Sequence, residues 1–412
     1  MNRWTMNLSQ MFSVCRILRD RFFGYQQRQI RWFLLLIVSG FLLTNLAIPA
    51  VYGSKPAEIR GVWLTNIDSE VLFEPGKLKN SIEKLAKLNF NTLYPTVWNW
   101  GYTLYPSQVA EAVTGTSLDP TPGLQERDIL QEIIQLGSEK GLAVIPWFEF
   151  GFMAPADSVI AKEHPDWLVQ RQDGSSIWLE GNVHQRVWLN PLHPEVQQFI
   201  SDLVLEIVGN YEVKGIQFDD HFGYPSEFGY DPLTVERYRQ EHGGKTPPSD
   251  VKDPDWIQWR ADKITGYLQT LRQQIREKNP QAIVSISPNP QKFSLQAFLA
   301  DWFRWQQLGL IDELVVQLYR DNDTAFLREL SQPELRIAKR RIPVAIGIIA
   351  GLKNKPIPIT RIQKQVKQVR DRKFSGVSFF FYESLWAMGP ESLDKRQAEY
   401  KKLFAQQALR SE

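Results

Sequence analysis

Cysteine is almost absent from this chain of 412 residues, because its one cysteine, Cys15, lies near the N-terminus. The rest of the chain therefore has no disulfide, no thiol nucleophile and no thiolate ligand for a metal. A body of around 360 residues without disulfides must be stabilised by a large hydrophobic core, and a chain of this length can form one.

The body of the chain also lacks an excess of positive charge. Six of the 48 basic residues but only one of the 46 acidic residues lie in residues 1–53, which leaves 42 basic and 45 acidic residues in the body. The formal net charge of +2 therefore comes from the N-terminal segment. Since no basic stripe remains in the body, we expect no nucleic acid partner.

One long apolar run stands out near the N-terminus. Residues 32–48 carry no charge, arginines precede them, and a small-residue stretch that ends at Gly53 follows them. This order is typical of a secretory signal cleaved after Gly53. The alternative is an uncleaved anchor in the inner membrane, since roughly 17 apolar residues lie at the short end of what spans a bilayer. Both interpretations predict a leader over residues 1–53 and an exported body over residues 54–412, in the periplasm or elsewhere in the cell envelope.

Short β-type runs alternate with amphipathic stretches throughout the body. Most of the runs are continuously apolar, as in parallel strands buried on both faces. Eight such strands alternating with helices predict an α/β fold of the (β/α)8 (TIM) barrel class. A doubly wound open sheet is the alternative, but its glycine-rich first turn does not follow the first predicted strand. The predicted strands are Glu58–Thr65, Asn91–Trp98, Leu142–Phe148, Gly215–Asp219, Ala282–Ser287, Glu313–Leu318, Pro343–Ile349 and Gly376–Tyr382, and the predicted helices are Leu78–Leu88, Asp128–Lys140, Glu195–Val208, Trp256–Lys278, Ala297–Leu308, Asp323–Arg340 and Ile359–Arg372.

Acidic and aromatic residues follow most of the predicted strands directly. In a barrel these positions meet at one rim, where barrel enzymes build their active sites. Hydrolysis of a glycosidic bond needs one carboxylic acid that protonates the leaving oxygen and a second carboxylate that attacks the anomeric carbon or activates water. Aromatic rings offer flat apolar surfaces to sugar rings. The predicted catalytic residues are Asp220, Asp219, Glu149 and Glu383, and the predicted substrate-binding residues are Asn66, Asp68, Trp98, Asn99, Trp100, Trp147, His221, Asn289, Tyr319, Asp321 and Trp386.

The roles of these carboxylates are not equivalent. Asp219 and Asp220 are consecutive at a strand end, so we expect only one of them to face the site. Asp220 is our choice for nucleophile or base, with Glu149 or Glu383 as general acid. Glu149 has an alternative role as an ion-pair partner of a nearby arginine, Arg171 or Arg186.

A metal centre is the other interpretation of the acidic pair at residues 219 and 220, because metal-dependent carbohydrate deacetylases also carry two consecutive aspartates at a strand end. Those enzymes need further histidines at helical spacing. The histidines of this chain form no such pair. We therefore predict neither a metal nor another cofactor.

Five segments of the body resemble the glycosyl-hydrolase-like family-10 proteins, with matches at most strands over about residues 57–390. The resemblance implies a (β/α)8 fold, export to the cell envelope and hydrolysis of an envelope polysaccharide, such as peptidoglycan glycan strands. It also places Asp219 and Asp220 in the active site. Many relatives carry Asn in place of Glu149 and Arg in place of Glu383, so the resemblance leaves the general acid open. A non-catalytic barrel that binds envelope glycan is the alternative function. The five segments are Arg60–Thr65, Asn89–Tyr94, Pro146–Phe148, Gly215–Asp220 and Ser285–Pro288.

Overall fold

The computed structural model describes residues 55–320 and 322–411. The predicted leader and Asp321 lie outside the described residues. Within the described part of the chain, no helix combines the length and apolar character needed to cross a bilayer.

The strands of the described residues alternate with helices in the predicted order. Five of the thirteen strands lie in connecting loops, and the other eight form one sheet. In chain order the strands are β1 (Ile59–Leu64), β2 (Thr92–Pro95), β3 (Trp98–Asn99), β4 (Tyr102–Thr103), β5 (Ala143–Val144), β6 (Met153–Pro155), β7 (Trp178–Glu180), β8 (His184–Trp188), β9 (Gly215–Asp219), β10 (Ile283–Ser287), β11 (Glu313–Gln317), β12 (Val344–Ile349) and β13 (Gly376–Phe380).

The eight-stranded sheet has the order β5-β2-β1-β13-β12-β11-β10-β9, and its neighbouring strands are parallel. Its two end strands are joined through the segment that follows β5. Trp147 bridges both Thr96 and Gln217, and the Phe148 N–H donates to the Gln217 carbonyl over 2.9 Å. Consecutive strands are thus neighbours around a closed ring, which confirms the predicted (β/α)8 barrel.

Most helices begin at a residue that caps their first turn. Asp128, for example, accepts a hydrogen bond from the Gln131 N–H, and Asp253 accepts one from the Trp256 N–H, which satisfies donors that the helix itself leaves free. The helices are α1 (Pro75–Lys87), α2 (Gln108–Thr114), α3 (Ile129–Glu139), α4 (Val159–Glu163), α5 (Pro194–Asn210), α6 (Pro232–Glu241), α7 (Pro254–Lys278), α8 (Gln291–Phe298), α9 (Trp302–Gln307), α10 (Asp323–Leu330), α11 (Pro333–Ala338), α12 (Ile359–Asp371), α13 (Tyr382–Ala387) and α14 (Leu393–Leu403).

Two of the predictions of a single helix are wrong, because the structure has two separate helices in each of these ranges. The prediction over 297–308 falls on the end of α8 and on α9, because Leu299 adopts a left-handed conformation with φ of 62° and Asp301 then caps a new helix. The prediction over 323–340 falls on α10 and α11, because Pro333 has no N–H to continue the first helix and starts the second one.

The barrel interior is filled by side chains that alternate along each strand. Trp63 and Trp147 lie inside the barrel, with ring centroids 6.2 Å apart, and the Trp63 indole donates to Gln217 Oε1 over 2.7 Å. At the N-terminal end of the barrel, Tyr94 donates to Glu313 Oε1 over 3.0 Å, and Arg410 forms an ion pair with Glu313. The interior is therefore packed at its base and leaves the C-terminal mouth as the place for a site.

Candidate active site

The inward alternation continues past the ends of the strands and selects the side chains at the mouth. Gln217 faces the interior through its bond with Trp63, so Asp219, two residues later, faces the same way. Glu149 lies two residues after the inward-facing Trp147, so it faces the interior as well. Tyr319 likewise follows the inward-facing Val315 of β11. Strands distant in sequence thus bring these three polar side chains to one mouth.

Aromatic rings form the floor of the mouth. The Phe380 ring lies 6.3 Å from the Trp63 ring and 6.4 Å from the Trp147 ring. Tyr319 stacks on Phe380 with a centroid distance of 5.7 Å. This floor is apolar and lies directly below the carboxylates, so it excludes water from beneath them and suits the faces of sugar rings.

Glu149 is the most strongly perturbed carboxyl group at the mouth. Its Oε2 accepts hydrogen bonds from Thr65 Oγ1 and Thr96 Oγ1, both over 2.9 Å, and from Asn99 Nδ2 over 3.0 Å. Burial raises its pKa to about 7, and the charge of Asp219 adds to this increase, whereas the two threonine hydrogen bonds and the charge of His221 oppose it. A carboxyl group with this pKa can carry or release a proton near neutrality.

Asp219 and His221 form a charged pair beside Glu149. Asp219 Oδ1 accepts the His221 N–H over 2.8 Å and lies 3.1 Å from Nδ1 of the same residue. That nitrogen is also 2.6 Å from the main-chain oxygen of Glu149. Burial lowers the pKa of His221, but the charge and hydrogen bond of Asp219 outweigh this effect and raise the pKa to about 9. His221 is therefore an imidazolium at neutral pH.

Asp220 points away from this pair, into the loop that follows β10. Its Oδ2 accepts from the Asn289 main-chain N–H over 3.0 Å and from Asn289 Nδ2 over 2.6 Å, and its Oδ1 accepts from Ser294 Oγ over 2.5 Å. Only one aspartate of the pair faces the mouth, as expected, but the structure places Asp219 there and not Asp220, because Asp219 continues the inward face of β9. Asn289 accordingly holds Asp220.

Tyr319 is the third polar group at the mouth. Burial and the charges of Asp219 and Glu149 raise the pKa of Tyr319 well above its ordinary value. Its phenol therefore stays protonated and can donate a hydrogen bond beside the two carboxylates.

Two asparagines link the β1 loop to the mouth. Asn99 Nδ2, which contacts Glu149, also donates to Asn66 Oδ1 over 2.7 Å. The arginines considered as partners of Glu149 pair elsewhere, Arg171 with Glu227 and Arg186 with Glu180. Among residues 55–320 and 322–411, Glu149 is therefore held by neutral donors and by no arginine.

The predicted tryptophans have different environments. Trp98 is fully buried and packs on Phe199, with its indole donating to Gly151 O, so it belongs to the core outside the barrel and not to a sugar surface. Trp386 is also buried, between Tyr400 and Lys84. Trp100 is 47% exposed in the β3–β4 hairpin and is free to contact a ligand.

Glu383 and Asp68 lie on another sector of the rim. Glu383, at the start of α13, accepts a hydrogen bond from Ser69 Oγ over 2.6 Å, and Asp68 pairs with Lys353. Neither shares a hydrogen-bond partner with Glu149 or Asp219 within the described residues. The structure thus does not bring these two predicted site residues into the group at the mouth.

Sequence reasoning missed the hydroxyl groups that hold Glu149. Thr65 and Thr96 were within predicted strands and were not considered as site residues. Their signal was available, because both continue the inward alternation of Trp63 and Tyr94 on the two neighbouring strands. Ser294, which holds Asp220, follows no strand, and its role depends on how the loop after β10 folds back.

One group of potential metal ligands occurs in the described residues, at Asp166, His193 and Glu195. It does not include the acidic pair at the mouth. His193 Nδ1 accepts the Glu195 N–H over 3.3 Å, and Glu195 Oε2 accepts the Trp167 indole over 2.9 Å. Both ligand residues are thus already used in local hydrogen bonds.

A (β/α)8 barrel with two inward carboxyl groups above an aromatic floor is an arrangement that glycoside hydrolases use. The family comparison agrees with this class. Residues 58–369 match the Glycosyl hydrolase-like 10 family, and the chain belongs to that family, as its strand motifs predicted.

Two named relatives support the same family assignment. The glycosyl hydrolase DigH of Escherichia coli K12 is 24% identical over 314 residues, which cover 66% of this chain and 67% of DigH. The glycosyl hydrolase YngK of Bacillus subtilis is 23% identical over 331 residues, which cover 71% of this chain and 60% of YngK.

Solved structures establish the fold. The glycoside hydrolase domain of PgaB (BpsB) from Bordetella bronchiseptica superposes with a TM-score of 0.63 at 14% identity, over 86% of this chain and 100% of the domain. The catalytic domain of β-amylase from Paenibacillus polymyxa gives 0.56 at 11% identity, over 84% of this chain and 98% of that domain. These structures thus support the barrel fold, whereas the family match and the named relatives support the prediction of a glycoside hydrolase-type enzyme.

Proposed function

We propose that this protein is an exported glycoside hydrolase that acts on a cell-envelope polysaccharide, with Glu149 as the proton donor and Asp219 as the second carboxylate. One observation carries the proposal: a buried glutamic acid with a pKa of about 7 lies beside an aspartate paired with an imidazolium. Two carboxyl groups in such different environments can take opposite roles in one reaction.

The hydrogen bonds of Glu149 determine which oxygen carries the proton. Three donors converge on Oε2, so a proton on the group resides on Oε1. Below a pH of about 7 this oxygen can donate to the leaving glycosidic oxygen. As the proton leaves, the carboxylate that forms keeps its three hydrogen bonds, which stabilises the product charge.

Asp219 supplies the second carboxylate of the reaction. The His221 imidazolium, 3.1 Å from Oδ1, orients Asp219 and keeps a positive charge beside it. Asp219 then either attacks the anomeric carbon or activates a water molecule. Asp220 is the residue that we favoured from the sequence, but its hydrogen bonds to Asn289 and Ser294 occupy both of its oxygens.

The substrate and location rest on two supports. Family membership supports a glycan, and the basic, apolar and small-residue order of residues 1–53 supports export. Peptidoglycan glycan strands are the polymer we propose to test first. Cell fractionation and protease accessibility of the tagged full chain test export, and an inaccessible body would contradict it.

Activity is tested by incubating the protein with glycan strands stripped of peptide and with a panel of polysaccharides, and by identifying products by mass. Glu149→Gln and Asp219→Asn should each lower turnover by about a thousandfold or more, because each removes one of the two groups that the chemistry needs. Asp371→Asn is the matched control, since Asp371 is an exposed acid at the end of α12, away from the mouth.

The variants also separate the alternatives. Full loss in Asp220→Asn with activity retained in Asp219→Asn would restore Asp220 as the catalytic residue. Glycan binding by the wild type without any product would support the non-catalytic glycan-binding barrel instead.

A further inference from the structure

A row of aromatic rings leads from the charged pair at the mouth to solvent. The Phe298 ring lies 6.2 Å from the His221 ring, and the Phe293 ring lies 5.9 Å from the Phe298 ring. Phe298 is partly buried, whereas Phe293 is 51% exposed. A single exposed apolar residue is common on protein surfaces and needs no explanation. Phe293 differs, because its ring continues a packed row that begins beside the proposed catalytic carboxylates.

Both phenylalanines belong to α8, which is fixed at each end. In its first turn, Ser294 donates to Oδ1 of Asp220. At its last residue, the Phe298 main-chain oxygen accepts the Tyr224 N–H over 3.0 Å. A Cβ on Gly223 would lie 1.9 Å from that same oxygen, so this close approach requires glycine. The helix that carries the rings is thus in place before a ligand binds, which lowers the cost of binding.

A cavity adjoins the exposed end of this row. Its volume is about 430 Å³, within the range of small-molecule binding sites. Phe293 and Arg320 both line it, and they lie in the segments that follow β10 and β11. Because the segments after the barrel strands meet at the C-terminal rim, the cavity lies beside the mouth that holds Asp219.

The cavity offers polar groups that a ligand can reach. Gln296 lines it together with Phe293 and lies three residues later, on the same side of α8. Gln296 is exposed, and its carboxamide makes no hydrogen bond to another described residue. The Arg320 side chain is 27% exposed, with Nε 3.5 Å from Oε1 of Glu329. A flat apolar ring beside an amide and a guanidinium suits a sugar unit, because the ring contacts the sugar face and the polar groups contact hydroxyls.

We propose that this cavity is a distal subsite for the glycan, in which one sugar unit stacks on the Phe293 ring and hydrogen-bonds to Gln296. Another unit of the same chain lies over Asp219 and Glu149. The inference rests on the proposed function, because the same glycan must occupy the mouth. Only two ring spacings separate His221 from Phe293, so an oligosaccharide of a few units covers the path. The subsite therefore favours longer chains over short ones.

The test compares the full-length wild type with Phe293→Ala and Phe293→Tyr on oligosaccharides of increasing length prepared from peptide-stripped glycan strands. For lengths that reach the subsite, kcat/KM of Phe293→Ala should fall about tenfold through a higher KM, because the contact with one sugar face is lost. For the shortest cleaved substrate, kcat/KM should not change. Phe293→Tyr keeps the ring and should match the wild type. Gln296→Ala should raise KM about threefold for the same long substrates, as expected for one neutral hydrogen bond.

Leu308→Ala is the matched control. Leu308 is 54% exposed, close to Phe293 in exposure, but it follows α9 and precedes β11 at the opposite end of the barrel. Its KM should therefore equal that of the wild type at every length. Thermal unfolding shows that each variant is folded, as expected for changes at exposed positions.

Each result decides the proposal separately from the proposed function. An equal loss at all lengths in Phe293→Ala, or a loss in kcat alone, would overturn the subsite, because a distal contact acts only on chains that reach it. No loss at any length, or a Phe293→Tyr variant as weak as Phe293→Ala, would also overturn it. If the wild type cleaves nothing, the proposed function fails, and calorimetry with the longest oligosaccharides still tests the subsite. Phe293→Ala should then weaken binding while Leu308→Ala does not, and equal binding by all three proteins, or none by the wild type, would overturn it.

Discussion

Nδ1 of His221 lies 3.1 Å from Oδ1 of Asp219, at the C-terminal end of β9. Asp219 is buried and the His221 side chain is 24% exposed, so their Coulomb attraction is screened less than it would be between fully exposed groups. This attraction makes His221 the cation of the mouth and couples it to Glu149, whose main-chain oxygen contacts the same nitrogen.

Asp219→Asn should lower the pKa of His221 from about 9, since it removes the charge that favours the imidazolium. Titration of the His221 ring proton by NMR measures this shift. Because the folded-state pKa is raised above the ordinary 6.5, the stability that His221 contributes is fully present below 6.5 and is lost as the pH rises through about 9. An unchanged His221 pKa in the variant would contradict the pairing.

Glu149→Gln should stabilise the protein at alkaline pH relative to the wild type. The folded-state pKa of Glu149 is about 7 and its ordinary value 4.5, so its favourable contribution is present below 4.5 and is lost as the pH rises through 7. Above that range the buried charge costs about 3 kcal/mol, which Gln does not incur. Urea unfolding of both proteins at acid and alkaline pH measures the difference, and an offset that does not depend on pH would refute this account.

His221→Gln should shift the alkaline limb of the pH–rate profile to higher pH. The charge of His221 lowers the pKa of Glu149, so a neutral residue there lets Glu149 hold its proton to higher pH. The limb of kcat/KM reports this group in the free enzyme. Asp371→Asn should leave the limb in place, whereas a downward shift in His221→Gln would exclude Glu149 as the acid.

Asp220→Ala should lower the free energy of unfolding by about 3 kcal/mol, because it removes the acceptor of both Asn289 N–H donors in a partly buried loop. Ser294 Oγ keeps the Asn289 main-chain oxygen as an acceptor. Asp220→Asn keeps an acceptor and should cost less. Urea unfolding measures both values. Equal losses in the two variants would show that charge, and not hydrogen bonding, accounts for the role of Asp220.

Arg410→Met should lower the free energy of unfolding by about 3 kcal/mol or more, since it leaves Glu313 buried without its cation. Adding Glu313→Gln should recover part of this loss. Because the pair lies at the base of the barrel, KM of the folded variant should not change. A double variant less stable than Arg410→Met would contradict a pairing of these two residues.

The barrel could be predicted because its strands are near-continuous apolar runs separated by amphipathic helices. All eight predicted strands contain a strand of the barrel, with differences at their ends such as Pro146, which lacks an N–H and shortens β5. The break in the predicted helix over 297–308 has no marker in the sequence, because Leu299 adopts a left-handed conformation without being a glycine. The break in the helix over 323–340 does have one, because Pro333 starts the second helix.

The candidate site could be predicted in part. The position of Glu149 and of the pair at residues 219 and 220 after strands was sufficient to select them as candidates. Trp98 and Trp386 look equivalent to rim aromatics in the sequence, but the structure buries both, because helices packed outside the barrel cover these strand ends.

The amino-acid order by itself determined the barrel, its family and which residues stand at the ends of its strands, since hydrophobic periodicity and local motifs are properties of neighbouring residues. Only the tertiary structure decided that Asp219 faces Glu149 while Asp220 faces Asn289, and that Glu383 lies on another sector of the rim. The physical reason is that these choices depend on how side chains from distant strands exclude water and meet one another, and no local pattern encodes those encounters.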